Sequence, residues 1–252
     1  MQENPSFRPH RDDIATALAL LTRLPVRARF DRTAEAAWAY PLAGLAVALI
    51  AGAVATLAGW LDLGAAAIAT LTVAALAVPT GAMHEDGLAD CADGFWGGFD
   101  RARRLEIMRD SRIGTYGVLA LVCVLLIRSA ALFSLAHLGV VVVALVAAAP
   151  ISRAVMVGVM ALVAPARADG LSVRTGRPPR RAVVLGALLA MAVGWLVVGF
   201  VPMVVSAFVA VLTGFTVAQI ARAKIGGQTG DVLGATQILA ETAVLLALSA
   251  LA

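Results

Sequence analysis

The sequence predicts an all-α protein that crosses a membrane about seven times, a polytopic helix bundle, and three observations carry that prediction. Hydrophobic residues make up 61% of the 252 residues and charged residues 14%, with a mean hydropathy of +0.90. A soluble domain sits nearer half apolar and a quarter charged, so the surplus must face lipid. Apolar runs of about 20 residues, enough to span a ~30 Å hydrocarbon core, recur along the chain. Basic residues collect on one side only of the path those runs trace.

The spans are read at Ala37–Trp60, Ala65–Met83, Thr115–Leu135, Val140–Val163, Ala182–Val201, Met203–Ala221 and Thr236–Ala252. They form one membrane-embedded domain, residues 1–252, in which tight turns make consecutive spans antiparallel neighbours. Before them, Ile14–Leu24 is shorter, is broken by Arg23 and Pro25, and reads as an interfacial helix. The arm Met1 to Arg11 is polar and lacks an apolar stretch ending in a small-residue cleavage site, so a cleaved signal peptide is not expected. Rows of small residues, Gly44, Ala48, Gly52 and Gly186, Ala190, Gly194, allow close helix approach.

Lys and Arg number six in the N-terminal arm, five in Thr80–Gly114, five in Ala164–Arg181 and two in Arg222–Ala235. Only Arg128 and Arg153 fall inside spans, and the opposite side carries no base and the single acid Asp62. This asymmetry places the first side in the cytoplasm of a bacterial inner membrane and the C-terminus outside. The basic excess, 20 against 16, thereby belongs to topology, and no nucleic-acid partner is expected. Cys91 and Cys123 are too few for a disulfide framework and read as free thiols.

The chemistry-bearing residues sit on the basic side. In His84-Glu85-Asp86-Gly87-Leu88-Ala89-Asp90-Cys91-Ala92-Asp93-Gly94, the aspartates 86, 90 and 93 share one helical face, within roughly 60°. Three stacked carboxylates repel one another unless a cation neutralises them. Hard oxygen donors suit Mg²⁺, which keeps several waters and shares its shell with substrate phosphates. Glu85 points away from that face, and Gly87 leaves room for a substrate at the backbone. Downstream, Arg109 and Arg112 flank Asp110 and Ser111 on a predicted helix and are the better phosphate candidates, since guanidinium forks match phosphate oxygens. Arg101, Arg103 and Arg104 read as lipid-headgroup contacts. The loop Lys224-Ile225-Gly226-Gly227-Gln228-Thr229-Gly230-Asp231 exposes backbone at a helix start, a natural anion site. Arg153, a charge inside a span, is a functional-site candidate with Glu241 as its structural alternative. Arg128, nearer the outer end, is expected to snorkel. His10, His84 and His137 do not cluster, so zinc is not expected, and His84 is left as a group flanking the metal.

These stretches, together with Thr22-Arg23-Leu24-Pro25-Val26, Pro41-Leu42-Ala43-Gly44, Leu105 to Gly117 and Ser152-Arg153, resemble the cobalamin synthase family, the adenosylcobinamide-GDP ribazoletransferases. The resemblance spans nearly the whole chain in the family's order, with Glu85 standing where the family is expected to carry leucine. It implies a Mg²⁺-dependent transfer that joins adenosylcobinamide-GDP to α-ribazole or its 5′-phosphate and releases GMP, the last assembly step of cobalamin biosynthesis. On that footing Asp86 and Asp90 hold Mg²⁺, and Asp93 is a third ligand or the base. Arg109, Arg112 and Lys224 hold the pyrophosphate, and Asp231 is a metal-site ligand or a sugar contact. Asp110, Ser111, Arg153, Gln228 and Thr229 complete the substrate contacts. The lipid bilayer is the other expected partner, and the number of protomers stays open, a homo-oligomer included.

Two rivals are weighed. A CDP-alcohol phosphotransferase needs Ala-Arg after its first Asp-Gly, whereas Gly87 is followed by Leu88-Ala89-Asp90. A divalent-cation transporter needs acids at mid-membrane depth in several spans, and only Glu241 lies inside one.

Overall fold

The computed structural model describes residues 7–252; the first six residues of the polar arm lie outside the described residues. The chain is helical throughout: α1 (Arg11–Leu21), a 3₁₀ turn (Glu35–Ala39), α2 (Tyr40–Trp60), α3 (Ala65–Thr80), α4 (Met83–Gly97), α5 (Arg101–Ile107), α6 (Thr115–His137), α7 (Val141–Leu162), α8 (Leu171–Thr175), α9 (Arg180–Val198), α10 (Phe200–Ile225) and α11 (Gly230–Leu251). Six helices are long and apolar enough to cross a membrane, and the bent pair α3 and α4 makes a seventh if counted as one span.

Burial sorts these helices into an inner and an outer set. The apolar windows of α7 and α11 are 67% and 72% buried, against 22–44% for the other single-helix spans. Around that pair the remaining helices turn large apolar side chains outward, such as Leu126, Leu196 and Phe208. In water such a surface would drive aggregation, whereas in hydrocarbon it costs nothing. Inside, small residues set the spacing. A Cβ on Gly44 of α2 would sit 2.6 Å from the Ala149 carbonyl oxygen of α7, and Gly186 and Gly194 of α9 are likewise held against Trp38 and Met203.

The helix boundaries depart from the sequence reading in three places. The turn between α9 and α10 is made by Gly199, at φ 81°, not by Val201–Pro202. Pro202 lies in the first turn of α10, where its missing N–H has no intrahelical partner to lose. The last helix starts at Gly230, not Thr236, with Thr229 as its N-cap. Gly230–Ala235 is thereby helical, with residues 232–235 buried in the bundle, not an exposed loop.

The third departure shapes the site. The chain does not run through the membrane as one helix over Ala65–Met83. Gly81 and Ala82 both adopt left-handed backbone, at φ 64° and 55°, which ends α3, and α4 leaves at 90°. Met83 and His84 start α4 against Gly234 of α11, and Glu85 lies 3.7 Å from Arg128 in the middle of α6. At its other end α4 meets Gly114 and Gly117, where α6 begins. Gly117 and Arg128 are about 16 Å apart along the helix axis. α4 therefore climbs from the bundle interior to the surface that carries the basic loops.

Candidate active site

α4 is held against α11 by a close backbone crossing. A Cβ on Gly87 would lie 2.7 Å from the Asp231 carbonyl oxygen, so it is α11, not a substrate, that uses the space this glycine leaves. The crossing gathers acids from distant sequence, placing Asp86, Asp231 and Asp93 around half-buried Asp90. Asp86 is exposed. Among the described residues, neither Asp86 nor Asp90 has a salt bridge or a side-chain hydrogen bond from a protein donor.

The third aspartate on that face is engaged otherwise. Asp93 is buried, and its carboxylate accepts the Gly114 N–H at 2.7 Å and the Gly117 N–H at 2.9 Å. It caps the start of α6 from another helix, satisfying donors that a helix end leaves free and opposing its positive dipole end. A Cβ on either glycine would run into the Asp93 carboxylate, which accounts for the Gly114-Thr115-Tyr116-Gly117 string.

Across from α4, the segment after α5 folds back to make a cleft of 460 Å³ containing Asp86, Asp90, Arg109, Asp110, Ser111 and Arg112. Arg109 and Arg112 are not on a helix; α5 stops at Ile107 and the segment that follows is a turn. Arg109 donates to Asp169 at 2.5 Å. Arg112 donates to both carboxylate oxygens of Asp110, the shortest at 2.7 Å. Those hydrogen bonds, together with the backbone N–H of Arg112, hold Asp110 down at about 2. Both guanidiniums are at least half exposed, so a phosphate entering the cleft exchanges for carboxylates at little cost.

The other basic residues support this cleft from outside it. Arg101 donates to the carbonyls of Ile225 and Ala166, and Arg104 to those of Gly98 and Lys224. They fasten α5 to the neighbouring loops and do not serve as free headgroup contacts. The 164–167 and 226–229 segments are laced by Gln228 N–H to Ala164 O and Ala166 N–H to Gln228 O. Gln228 is buried there, and Thr229 caps α11 and donates to Asp231 at 3.0 Å. The Lys224 ammonium stands over the Trp96 ring, 5.4 Å from its centroid, away from the aspartates.

Below the cleft lies a buried ionic layer. Arg128 is 2% exposed and does not snorkel; it donates to Glu241 at 2.5 Å. Gln237 donates to the same carboxylate and to Ser152. Arg153 donates to Ala149 O and lies 4.0 Å from Glu241, so it belongs to this layer and not to the cleft wall.

Two features had no counterpart in the sequence reading. Arg167 lies 3.5 Å from Asp231 and 4.0 Å from Asp169, linking the acid on α11 to the partner of Arg109. A second cavity, of 220 Å³, opens on the far side of Asp86, bounded by α1, α2, α4, α7, α8 and α11. The Arg167-Ala168-Asp169-Gly170 string, polar between two apolar spans, was the available signal for the first. The second has none, because its walls come from six helices.

Residues 13–249 match the family model for cobalamin-5-phosphate synthase. The chain is 45% identical to the adenosylcobinamide-GDP ribazoletransferase of Sinorhizobium medicae, covering 96% of this chain and 98% of that one. It is 43% identical to the protein of that name from Bradyrhizobium diazoefficiens, over 94% and 93% of the two chains. With that of Brucella ovis it shares 40% identity, over 94% and 95%. No solved structure matches. A family match over nearly the whole length, with relatives similar from end to end, makes this chain a member of the cobalamin-5-phosphate synthase family.

Proposed function

We propose that this chain joins adenosylcobinamide-GDP to α-ribazole, or its 5′-phosphate, and releases GMP, at a Mg²⁺ site facing the cytoplasm of a bacterial inner membrane. The observation that carries the reading is the cleft in which two carboxylates without protein donors, Asp86 and Asp90, face two exposed guanidiniums, Arg109 and Arg112. The relatives' name supplies the substrates. The positive-inside asymmetry supports the orientation.

The donor set suits the metal. Among the described residues, no three His, Cys, Asp or Glu side chains converge into a closed metal cage. Mg²⁺ does not need one: one or two carboxylates, waters and substrate phosphates complete its octahedron. Asp86 and Asp90 would hold it, with Asp231 nearby on α11. When bound it neutralises charge on the pyrophosphate oxygens.

A ribose hydroxyl of the ribazole attacks the corrinoid-side phosphorus, and GMP leaves. Arg109 and Arg112 grip pyrophosphate oxygens and meet the charge that moves to the departing phosphate. Asp93 keeps the start of α6, and with it the 109–114 turn, in register with α4. As ligand or base, Asp93 would act through the lone pairs left on oxygens that already accept the two α6 N–H groups.

The test is GMP release by the purified chain in detergent, with both substrates and Mg²⁺. Release that needs both substrates and stops on chelation is expected. Folded protein that yields no GMP, or that carries Mg²⁺ across liposomes instead, would refute the reading. For orientation, Arg174→Cys should resist an impermeant thiol reagent in intact cells and Asp62→Cys should react; the reverse pattern would invert the topology.

A further inference from the structure

Asp86 is the common wall of two cavities. The first, described above, is open and lined with charge. The second is a slot whose sides are Tyr40, Met83, Met156, Met160 and Leu233, all but Met83 at most 7% exposed. Polar side chains line it too, His84, Ser172 and Thr175 among them, and at one edge Asp231 and Arg167 lie 3.5 Å apart. Inside it, His84 is 4% exposed and neither ring nitrogen has a hydrogen-bond partner. One Arg167 guanidinium nitrogen is buried and unpartnered as well.

Taking the ribazoletransferase reading as given, we infer that this slot receives the heterocyclic base of the acceptor nucleoside, so that the two substrates enter from opposite sides of Asp86. Size is the first argument. An apolar void of about 150 Å³ takes up benzene, and 220 Å³ accommodates one fused bicyclic ring but neither a corrin nor a whole nucleotide. Lining is the second. Thioethers and leucine suit a flat ring without exocyclic polar groups, and methionine sulfur makes favourable contacts with aromatic edges. A guanine would press several donors and acceptors against the thioether and leucine face, which has no partner for them.

Polar matching is the third argument. A neutral imidazole has one N–H and one lone pair. The base of a benzimidazole nucleoside keeps one in-plane ring nitrogen, an acceptor, which a His84 N–H satisfies once the imidazole, whose nitrogens are buried at rest, turns toward the slot. At the open edge the sugar then meets Asp231, and a 5′-phosphate meets the Arg167 guanidinium. The attacking hydroxyl emerges beside Asp86, where the phosphorus of the other substrate is held. Placing the acceptor this way brings the reactants together without either crossing the other's cavity.

The experiment measures inhibition of GMP release from the full chain in detergent with Mg²⁺, using the free base 5,6-dimethylbenzimidazole as probe. It should compete with the acceptor nucleoside and not with adenosylcobinamide-GDP. Met160→Trp, which fills the slot, should raise KM for the acceptor at least ~10-fold, the scale of a steric pocket change, with KM for the corrinoid substrate within about twofold. His84→Ala should raise the same KM, and His84→Asn, which restores a donor, should recover part of it. Competition against the corrinoid substrate, or both KM values moving together, would overturn the assignment. If the tryptophan variant does not fold, wild-type inhibition still decides. If wild-type protein releases no GMP, the parent reading fails alone, and dialysis of labelled α-ribazole against wild-type and His84→Ala protein still tests the slot.

Discussion

Arg128 on α6 and Glu241 on α11 form a hydrogen-bonded ion pair, 2.5 Å apart, at the level where α4 begins. Glu85 approaches the same arginine at 3.7 Å and Arg153 the same glutamate at 4.0 Å. Two bases and two acids from α4, α6, α7 and α11 thus neutralise one another beneath the cleft. Removing one member strands a buried charge, while removing a pair together does not. Arg128→Met should cost about 3–5 kcal/mol, and Arg128→Met with Glu241→Met markedly less. Thermal unfolding in detergent reads both; a double variant as unstable as the sum of the singles would show that the pair is not coupled.

Glu85 lines the cleft beside Asp86 and Asp90, and differs from them in having a basic neighbour, Arg128 at 3.7 Å. Asp86→Asn and Asp90→Asn should each lower turnover at least ~10²-fold, the size of a lost electrostatic catalytic contact. Glu85→Gln should cost stability at Arg128 and far less rate. Equal losses of kcat at all three positions would remove the distinction.

For the arginines, charge and geometry can be separated. Arg109→Lys and Arg112→Lys keep a cation but lose the planar fork. Folding should survive, and at least one variant should lose kcat, because charge moves onto the leaving phosphate. If both lysine enzymes show ordinary kcat and KM without anionic lipid, the clamp assignment is lost.

Asp93 predicts a defect of another kind. Asp93→Asn retains one good acceptor for two N–H groups and should cost about 1–2 kcal/mol, as lost helix caps do. Gly117→Ala, which forces a methyl against the same carboxylate, should mimic it. An Asp93→Asn enzyme of unchanged melting temperature but abolished turnover would point instead to a direct chemical role.

Docking of α1 should be acid-sensitive. Burial pushes Asp13 up, but the Trp38 indole N–H at 2.8 Å, Arg32 at 3.2 Å and the His10 N–H outweigh it and leave the carboxyl below its ordinary 3.8. A depressed carboxyl contributes stability above its unfolded value and loses it as pH falls through the folded one. Hydrogen-exchange protection in α1, corrected for the intrinsic pH dependence of exchange, should therefore fall below about pH 4, and Asp13→Asn should flatten that dependence. A pH-independent α1 in the wild type would contradict the assignment.

What the sequence shows of this molecule is what local rules encode. Span length, the basic side and the shared face of Asp86 and Asp90 need only composition and the helical repeat. Arg128 could not be placed that way, because its partner Glu241 lies 113 residues on. The α3–α4 break was hidden since Ala82, which nothing marks as left-handed, continues the bend that Gly81 begins. Asp93 looked equivalent to its neighbours until the α6 start came to meet it. With no breaker before Gly114 the sequence predicts a helix through Arg109 and Arg112, yet the segment turns and Arg109 reaches Asp169.

The crossing of Gly87 over Asp231 has a consequence for biogenesis. α11 follows every other helix in chain order, yet it is the one on which α4 rests and the source of Glu241. While the chain is being inserted, Arg128 and Arg153 must wait without Glu241, and the short α3 must hold its place with α4 undocked. Charged residues in such a state are tolerated near the interface or by local thinning of the bilayer. Assembly of the cleft is thereby deferred until the final helix arrives, and the acids of α4 are drawn inward only when there is something to receive them.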